Sequence, residues 1–226
     1  MNSPTRVRSY RPLLWGLAIV GTLTDQLSKY VVFSWLCPAN GGRGEHELVP
    51  GVFSFLSDYT DRVEAGTGLL AWLRTRSSDW LPKVNEGALF GLGNGSGMMS
   101  VGHFTLSFNA LFAIVSVVAA VAILYWSTRR TTGRDWSLCT SLGLILAGTL
   151  GNLYDRLVFG GVRDFLWFHL TNSKGEITFN YPVFNVADCC LVCGAVLLLV
   201  QAYWTRSVPQ AEPAVASTSG MAANPR

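Results

Sequence analysis

The chain has 226 residues, enough for one domain; half of them are hydrophobic and only 14% are charged. A soluble domain averages about 25% charged residues, so this composition speaks for a membrane protein. A net charge of +3 is too small to suggest a nucleic-acid partner, and there is no basic stripe of interleaved aromatics.

Four stretches are long enough to cross a hydrocarbon core, which takes about 20 helical residues. The first runs from about Leu13 to Leu36, behind Arg6, Arg8 and Arg11. No small-x-small cleavage site follows it, so it is read as a retained helix rather than a cleaved leader. A long segment, 37–104, comes next. Within it Val49–Leu56 (VPGVFSFL) alternates like a short strand, and a weaker apolar run surrounds Leu69–Leu73. The glycine-rich run Gly91–Gly97 matches no phosphate-binding pattern. The second span covers about Leu106–Trp126, the third Leu138–Phe159 and the fourth Val183–Trp204. Three of the five cysteines (Cys189, Cys190, Cys193) lie in the fourth. With no His or further Cys placed to complete a tetrahedral site, they read as small packing residues, and no metal or cofactor is expected. The tail beyond Val208, rich in Pro, Ala and Ser, reads as disordered.

The arginines set an orientation. The N-terminal flank, the short loop holding Arg129, Arg130 and Arg134, and the flank at Arg206 fall on one side of a four-span protein, predicted to be cytoplasmic. The expected architecture is therefore an all-α integral membrane protein of four transmembrane helices, N-in and C-in. A small extracytoplasmic β-containing segment would separate helices one and two. Residues 1–206 would form a single membrane-embedded domain, and 207–226 a cytoplasmic tail.

Charges inside spans cost roughly 2.5–3.5 kcal/mol each on insertion scales, so they mark function by default. Asp25 and Lys29 lie in the first span, Asn152, Asp155 and Arg156 near the outer end of the third, and Asn185 and Asp188 at the start of the fourth. At 1.5 Å per residue Asp188 sits about 7 Å below the outer edge. Asp164 follows span three on the same side. The bland reading is helix glue: Asp25 with Lys29 at i,i+4, and Asp155 with Arg156 or a partner on another helix. Asp164 and Asp188 are each flanked by apolar residues. Two carboxylates brought together there would share a proton, as activation of a water against a peptide carbonyl requires. Proton-coupled transport would explain the same acids.

Five blocks in order resemble one family, the lipoprotein signal peptidases (signal peptidase II): Thr24–Lys29 (TDQLSK), Asn85–Phe90 (NEGALF), Gly151–Arg156 (GNLYDR), Val162-x-Asp164-Phe165, and Phe184–Asp188 (FNVAD). The resemblance covers about residues 13–36 and 83–204. It implies an aspartyl endopeptidase with Asp164 and Asp188 as catalytic dyad. Asn152, Asp155, Arg156, Asn185 and Ala187 would position dyad and substrate backbone, and Asp25, Lys29, Asn85 and Gly87 would brace the site. The implied substrate is a diacylglyceryl-modified prolipoprotein, cut on the N-terminal side of its lipidated cysteine. The implied setting is the bacterial cytoplasmic membrane, with the site on the extracytoplasmic side. Four spans suffice to enclose one site, so a monomer among membrane lipids is expected.

Two features depart from the family. The stretch 37–83 is longer than usual, and Arg163 stands where an apolar residue is commoner. A cation there would be expected to lower a dyad pKa. A small transporter or channel subunit would want acids at several depths, yet the other halves of spans two to four are nearly free of charge. A scaffold needs no paired acids. The G-x-G-D block of presenilin-type proteases and the G-x-S-x-G elbow are both missing. His46 and His103 have no evident nucleophile partner, and His169 is kept only as a group that tunes Asp164.

Overall fold

The computed structural model describes residues 9–62, 67–87, 98–101 and 104–206. Arg6, Arg8, Ala88–Phe90, the Gly91–Gly97 run, His103 and the tail 207–226 lie outside these. In chain order come α1 (Arg11–Trp35), β1 (Arg43–Val49), β2 (Phe53–Arg62), α2 (Leu69–Thr75), β3 (Trp80–Pro82), β4 (Met98–Val101), β5 (Phe104–Ser107), α3 (Phe108–Ser127), α4 (Trp136–Phe159), β6 (Leu166–Thr171), β7 (Ile177–Asn180) and α5 (Val186–Arg206).

The helix ends follow local chemistry. Pro12 enters α1 in its first turn, where a missing N–H costs nothing. Ser107 accepts the Ala110 N–H at 3.2 Å to open α3, and Asp135 accepts the Leu138 N–H at 3.0 Å to open α4. Gly160, at φ +80°, ends α4 in the left-handed conformation.

Helix α4 is the central helix and touches α1, α3 and α5. Small residues allow this. A Cβ on Gly143 would stand 2.8 Å from the Leu14 carbonyl oxygen of α1, and one on Gly151 would stand 2.5 Å from Asp25 Oδ2. A Cβ on Gly148 would strike the Ala187 carbonyl oxygen, and one on Gly194 of α5 would stand 2.9 Å from the Ser141 carbonyl oxygen. Helices in lipid gain little from hydrophobic burial, so close approach over small residues and polar contacts must hold them together. The polarity is accordingly inverted. Ile19, Val20, Leu23, Leu27 and Val31 of α1 are exposed, while Asp25, Lys29 and Asp155 are completely buried.

The all-α, four-span expectation is overturned. Among the described residues there are five α-helices and a five-stranded antiparallel sheet, with a separate β4–β5 hairpin. Three helices are long and apolar enough to cross a membrane: α3, α4 and α5 over Val186–Trp204. Helix α1 forms at nearly the expected bounds, but Thr22, Thr24, Asp25, Gln26, Ser28 and Lys29 keep it out of that class. The N-in/C-in assignment rested on a count of four and loses its basis.

The sheet runs β1-β2-β6-β7, with β3 also on β2. It therefore joins the 37–83 stretch, which holds β1, β2, α2 and β3, to the segment after α4. Two backbone bridges extend it. Asn85 exchanges hydrogen bonds with Val162 (2.8 and 2.9 Å), and Phe184 does so with Leu166 (2.8 and 2.9 Å), while Phe165 N–H also binds the Phe184 carbonyl at 3.0 Å. Chain segments around 85, 162–166 and 184 are thereby laced side by side at one end of the helices.

Candidate active site

Asp164 lies in the middle of that lacing, between the Val162 and Leu166 bridges. Asp188 lies in the first turn of α5. Asn185 is the N-cap: its Oδ1 accepts the Asp188 N–H at 3.0 Å, and the Asp188 Oδ2 accepts the Asn185 N–H at 3.1 Å. This is a reciprocal capping box. The same Asn185 donates through Nδ2 to Asp164 Oδ1 at 2.7 Å, so one side chain bridges the two acids.

Every amide in the site has its direction set by a neighbour. Lys29 Nζ has only protons to give, and donates to Asn152 Oδ1 at 3.3 Å. Asn152 must then turn its Nδ2 outward, where it donates to Asp188 Oδ1 at 2.8 Å. Asn185 Nδ2 also donates to Asn152 Oδ1, at 3.2 Å. Asn85 accepts the Gly87 N–H at 3.0 Å, which leaves its Nδ2 to donate to Asp164 Oδ2 at 3.1 Å. Gly87 has φ +100°, and a Cβ there would strike the Phe112 ring, so a glycine is required.

Behind the dyad is a buried ionic cluster. Lys29 Nζ lies 2.9 Å from Asp25 Oδ2 and 3.1 Å from Asp155 Oδ2. Asp25 Oδ1 accepts the Ala187 N–H at 2.9 Å, tying α1 to the start of α5. Asp155 is paired a second time, by Arg163 rather than by its neighbour Arg156. Arg156 instead donates to the Asn152 carbonyl at 3.3 Å and lies over the Phe112 ring. It acts on Asp188 and Asp164 through its charge alone, with Nε buried and unpartnered.

Burial pushes the Asp164 carboxyl up to about 7, and the neighbouring charge of Asp188 adds to the rise. The hydrogen bonds from Asn85 and Asn185 oppose it. Arg163, the cation expected beside the dyad, has its guanidinium on Asp155 instead. A carboxyl poised near neutrality beside a second carboxylate can hold a proton at one site and accept one at the other. Two cavities open on the pair. One of about 270 Å³ touches Asp164 and is lined by Leu56, Asp58, Lys83, Asn85 and Val183. The other, about 550 Å³, touches Asp188 and runs between α5 and the aromatics Phe53, Phe168, Phe179, Tyr181 and Phe184.

All eleven residues singled out in the sequence lie in this assembly, or directly hydrogen-bond to it. Sequence reasoning missed Gln26, which donates to Asp25 Oδ2 (2.9 Å), the Gly151 carbonyl (3.0 Å) and Asp155 Oδ1 (3.3 Å). It also missed the structural place of Arg163. The N-x-x-D spacing of Asn185 and Asp188 was an available capping signal. His169 is buried on β6, stacked on Trp167 at 4.0 Å, with Nδ1 unpartnered and no hydrogen bond to the dyad among the described residues.

Comparison with known proteins agrees with this arrangement. The family described as signal peptidase (SPase) II matches residues 17–204. A lipoprotein signal peptidase of Rhodopirellula baltica is 32% identical over 211 residues, which span 88% of this chain and 75% of that one. One of Ralstonia nicotianae is 32% identical over 185 residues, covering 82% and 80%, and one of Pseudomonas aeruginosa 34% over 133 residues, covering 58% and 70%. A solved structure described as a bacterial membrane enzyme, at 21% identity, shares the fold with a TM-score of 0.61 over 93% of this chain and 99% of its own. The chain belongs to the signal peptidase II family, the membrane proteases of lipoprotein processing.

Proposed function

We propose that the chain is an aspartyl endopeptidase that removes signal peptides from diacylglyceryl-modified prolipoproteins, with Asp164 and Asp188 as its catalytic pair. The observation that carries the reading is the bridge through Asn185, which holds the two carboxyls in one hydrogen-bonded unit with Asp164 poised near neutral pH. A water between the carboxyls gives its proton to the ionised acid and attacks the scissile carbonyl. The protonated acid donates to the developing oxyanion, and the proton then passes to the leaving amine. Asn152, Asn185 and Asn85 hold the carboxyls. Arg156, with a free guanidinium donor, binds substrate backbone. Asp25, Lys29, Asp155, Gly87 and Ala187 support the frame.

The two cavities suit a substrate with two chemistries. The apolar, aromatic-lined one beside Asp188 suits acyl chains; the more polar one beside Asp164 suits peptide. The cut falls on the N-terminal side of the lipidated cysteine, whose glyceryl group lies at the membrane boundary. The enzyme works as a monomer, with residues 1–206 as one unit, in the bacterial cytoplasmic membrane and with its site on the extracytoplasmic side. No cofactor enters the mechanism. A proton-coupled transporter finds no favouring observation.

The test is a gel-shift assay with purified protein and a diacylglyceryl-modified prolipoprotein. Wild type should cut, while folded Asp164→Asn and Asp188→Asn should not. Full activity in either variant removes that acid from the mechanism.

A further inference from the structure

The residue preceding Asp164 is the largest fully buried side chain among the described residues. Arg163 reaches away from the candidate dyad into the seam between α1 and α4. Its Nη2 donates to Asp155 Oδ1 at 2.8 Å and to Gln26 Oε1 at 2.9 Å, and its Nε donates to Asp155 Oδ2 at 3.4 Å. Its guanidinium carbon lies 3.9 Å from the Phe159 ring centre and 4.4 Å from that of Tyr30. Its backbone N–H also binds Asp155 Oδ2, at 2.9 Å. Main chain and side chain are thus both clamped by one carboxylate.

Successive side chains of an extended segment point to opposite sides. Val162 and Leu166 on either side are pinned by the bridges to Asn85 and Phe184. Seating Arg163 inward therefore aims Asp164 outward, toward Asn85 and Asn185. The cluster is also balanced, with Lys29 and Arg163 set against Asp25 and Asp155. A lysine at 163 would keep the charge, but it has neither the planar fork that fits a carboxylate nor the flat face that stacks between rings.

We propose that Arg163 is a positioning residue for cleavage: its anchored guanidinium fixes the backbone that sets the Asp164 carboxyl against Asp188, without touching either carboxyl. This rests on the aspartyl-protease reading above.

The test uses the full chain in detergent micelles with a diacylglyceryl-modified prolipoprotein, and measures kcat, KM and thermal midpoint. The variants are Arg163→Lys, which keeps the charge, and Arg163→Met combined with Asp155→Asn, which keeps the cluster neutral. Both should fold, with KM within about two-fold of wild type and kcat down ten-fold or more. A purely structural role would instead make kcat follow the thermal midpoint, with the neutral pair of substitutions restoring both. Either variant cutting at the wild-type kcat, or losing only KM, overturns the proposal. An Asp164→Asn control separates the two readings: if it still cuts, the aspartyl mechanism fails and Arg163 has no dyad to position. If it is inactive, the Arg163 variants decide alone.

Discussion

Asp164→Asn should abolish cleavage and yet stabilise the protein above neutral pH. The native carboxyl sits at about 7, against an ordinary value of 3.8. Between those values the native state binds more protons than the unfolded chain, so stability is fully present at low pH and is lost as pH rises through 7. At about 1.4 kcal/mol per unit, the ionised acid costs the native state up to about 4 kcal/mol above pH 8. An asparagine removes that cost. It also loses one acceptor, because its amide cannot accept from both Asn85 and Asn185, and that loss costs about 1–3 kcal/mol. The net gain at pH 8.5 is about 1–3 kcal/mol, read as about 2–4 °C per kcal/mol in a chain of this size. At pH 5 the native carboxyl is protonated and the remaining cost is under about 2 kcal/mol, so the advantage should vanish. Thermal unfolding of wild type and variant in the same detergent at pH 5 and 8.5 measures this. An equal midpoint difference at both pH values, or a less stable variant at pH 8.5, would refute the argument.

Two other outcomes follow from the site. Asn185→Ala removes the α5 cap and the bridge between the acids, so it should cost about 1–2 kcal/mol in thermal or denaturant unfolding and lower kcat by two orders of magnitude or more; a fully active, folded variant would contradict the bridging role. Val192→Trp fills the aromatic-lined cavity beside Asp188. Kinetics on the lipidated substrate should show KM raised at least ten-fold with an unchanged thermal midpoint, and an unaltered KM would place the acyl chains elsewhere.

The long apolar helices were legible because hydropathy over about 20 residues is a local property. The sheet was not. VPGVFSFL announced a strand, but Arg43–Val49 (RGEHELV) is polar and mostly exposed, and Ile177–Asn180 is exposed throughout. Such strands exist through pairing with partners distant in sequence, which no local pattern reports. The span count failed for a related reason. In α1 the charged residues Asp25 and Lys29 face inward, so the helix reads as less apolar than its exposed face is. The partner of Asp155 was equally hidden. Arg156 is adjacent in sequence, but consecutive residues on a helix point apart, and the turn at Gly160 brings Arg163 back instead. The capping box at Asn185 and Asp188 was readable, and it would have fixed the start of α5.

The kind of partner each acid has explains which acids can do chemistry. Asp25 and Asp155 are met by cations: Lys29 by both, and Arg163 by Asp155. A cation within hydrogen-bonding distance occupies a carboxylate's oxygens and withholds them from a substrate. Among the described residues, Asp164 and Asp188 accept hydrogen bonds only from neutral donors, the amides of Asn85, Asn152 and Asn185 and one backbone N–H. Those bonds fix the geometry of the carboxyls without fixing their charge, so a proton can arrive and leave. Three cations act on the dyad without bonding to it: Arg156 through its charge, Lys29 through Asn152 and Arg163 through its own backbone. The fold therefore uses full charges to join helices inside an apolar slab and amides to present acids at its edge. A change that put a cation in direct contact with Asp164, such as Asn85→Lys, should hold that carboxyl ionised and move its titration well below 7, and a pH–rate profile that kept its wild-type alkaline limb would count against this division of labour.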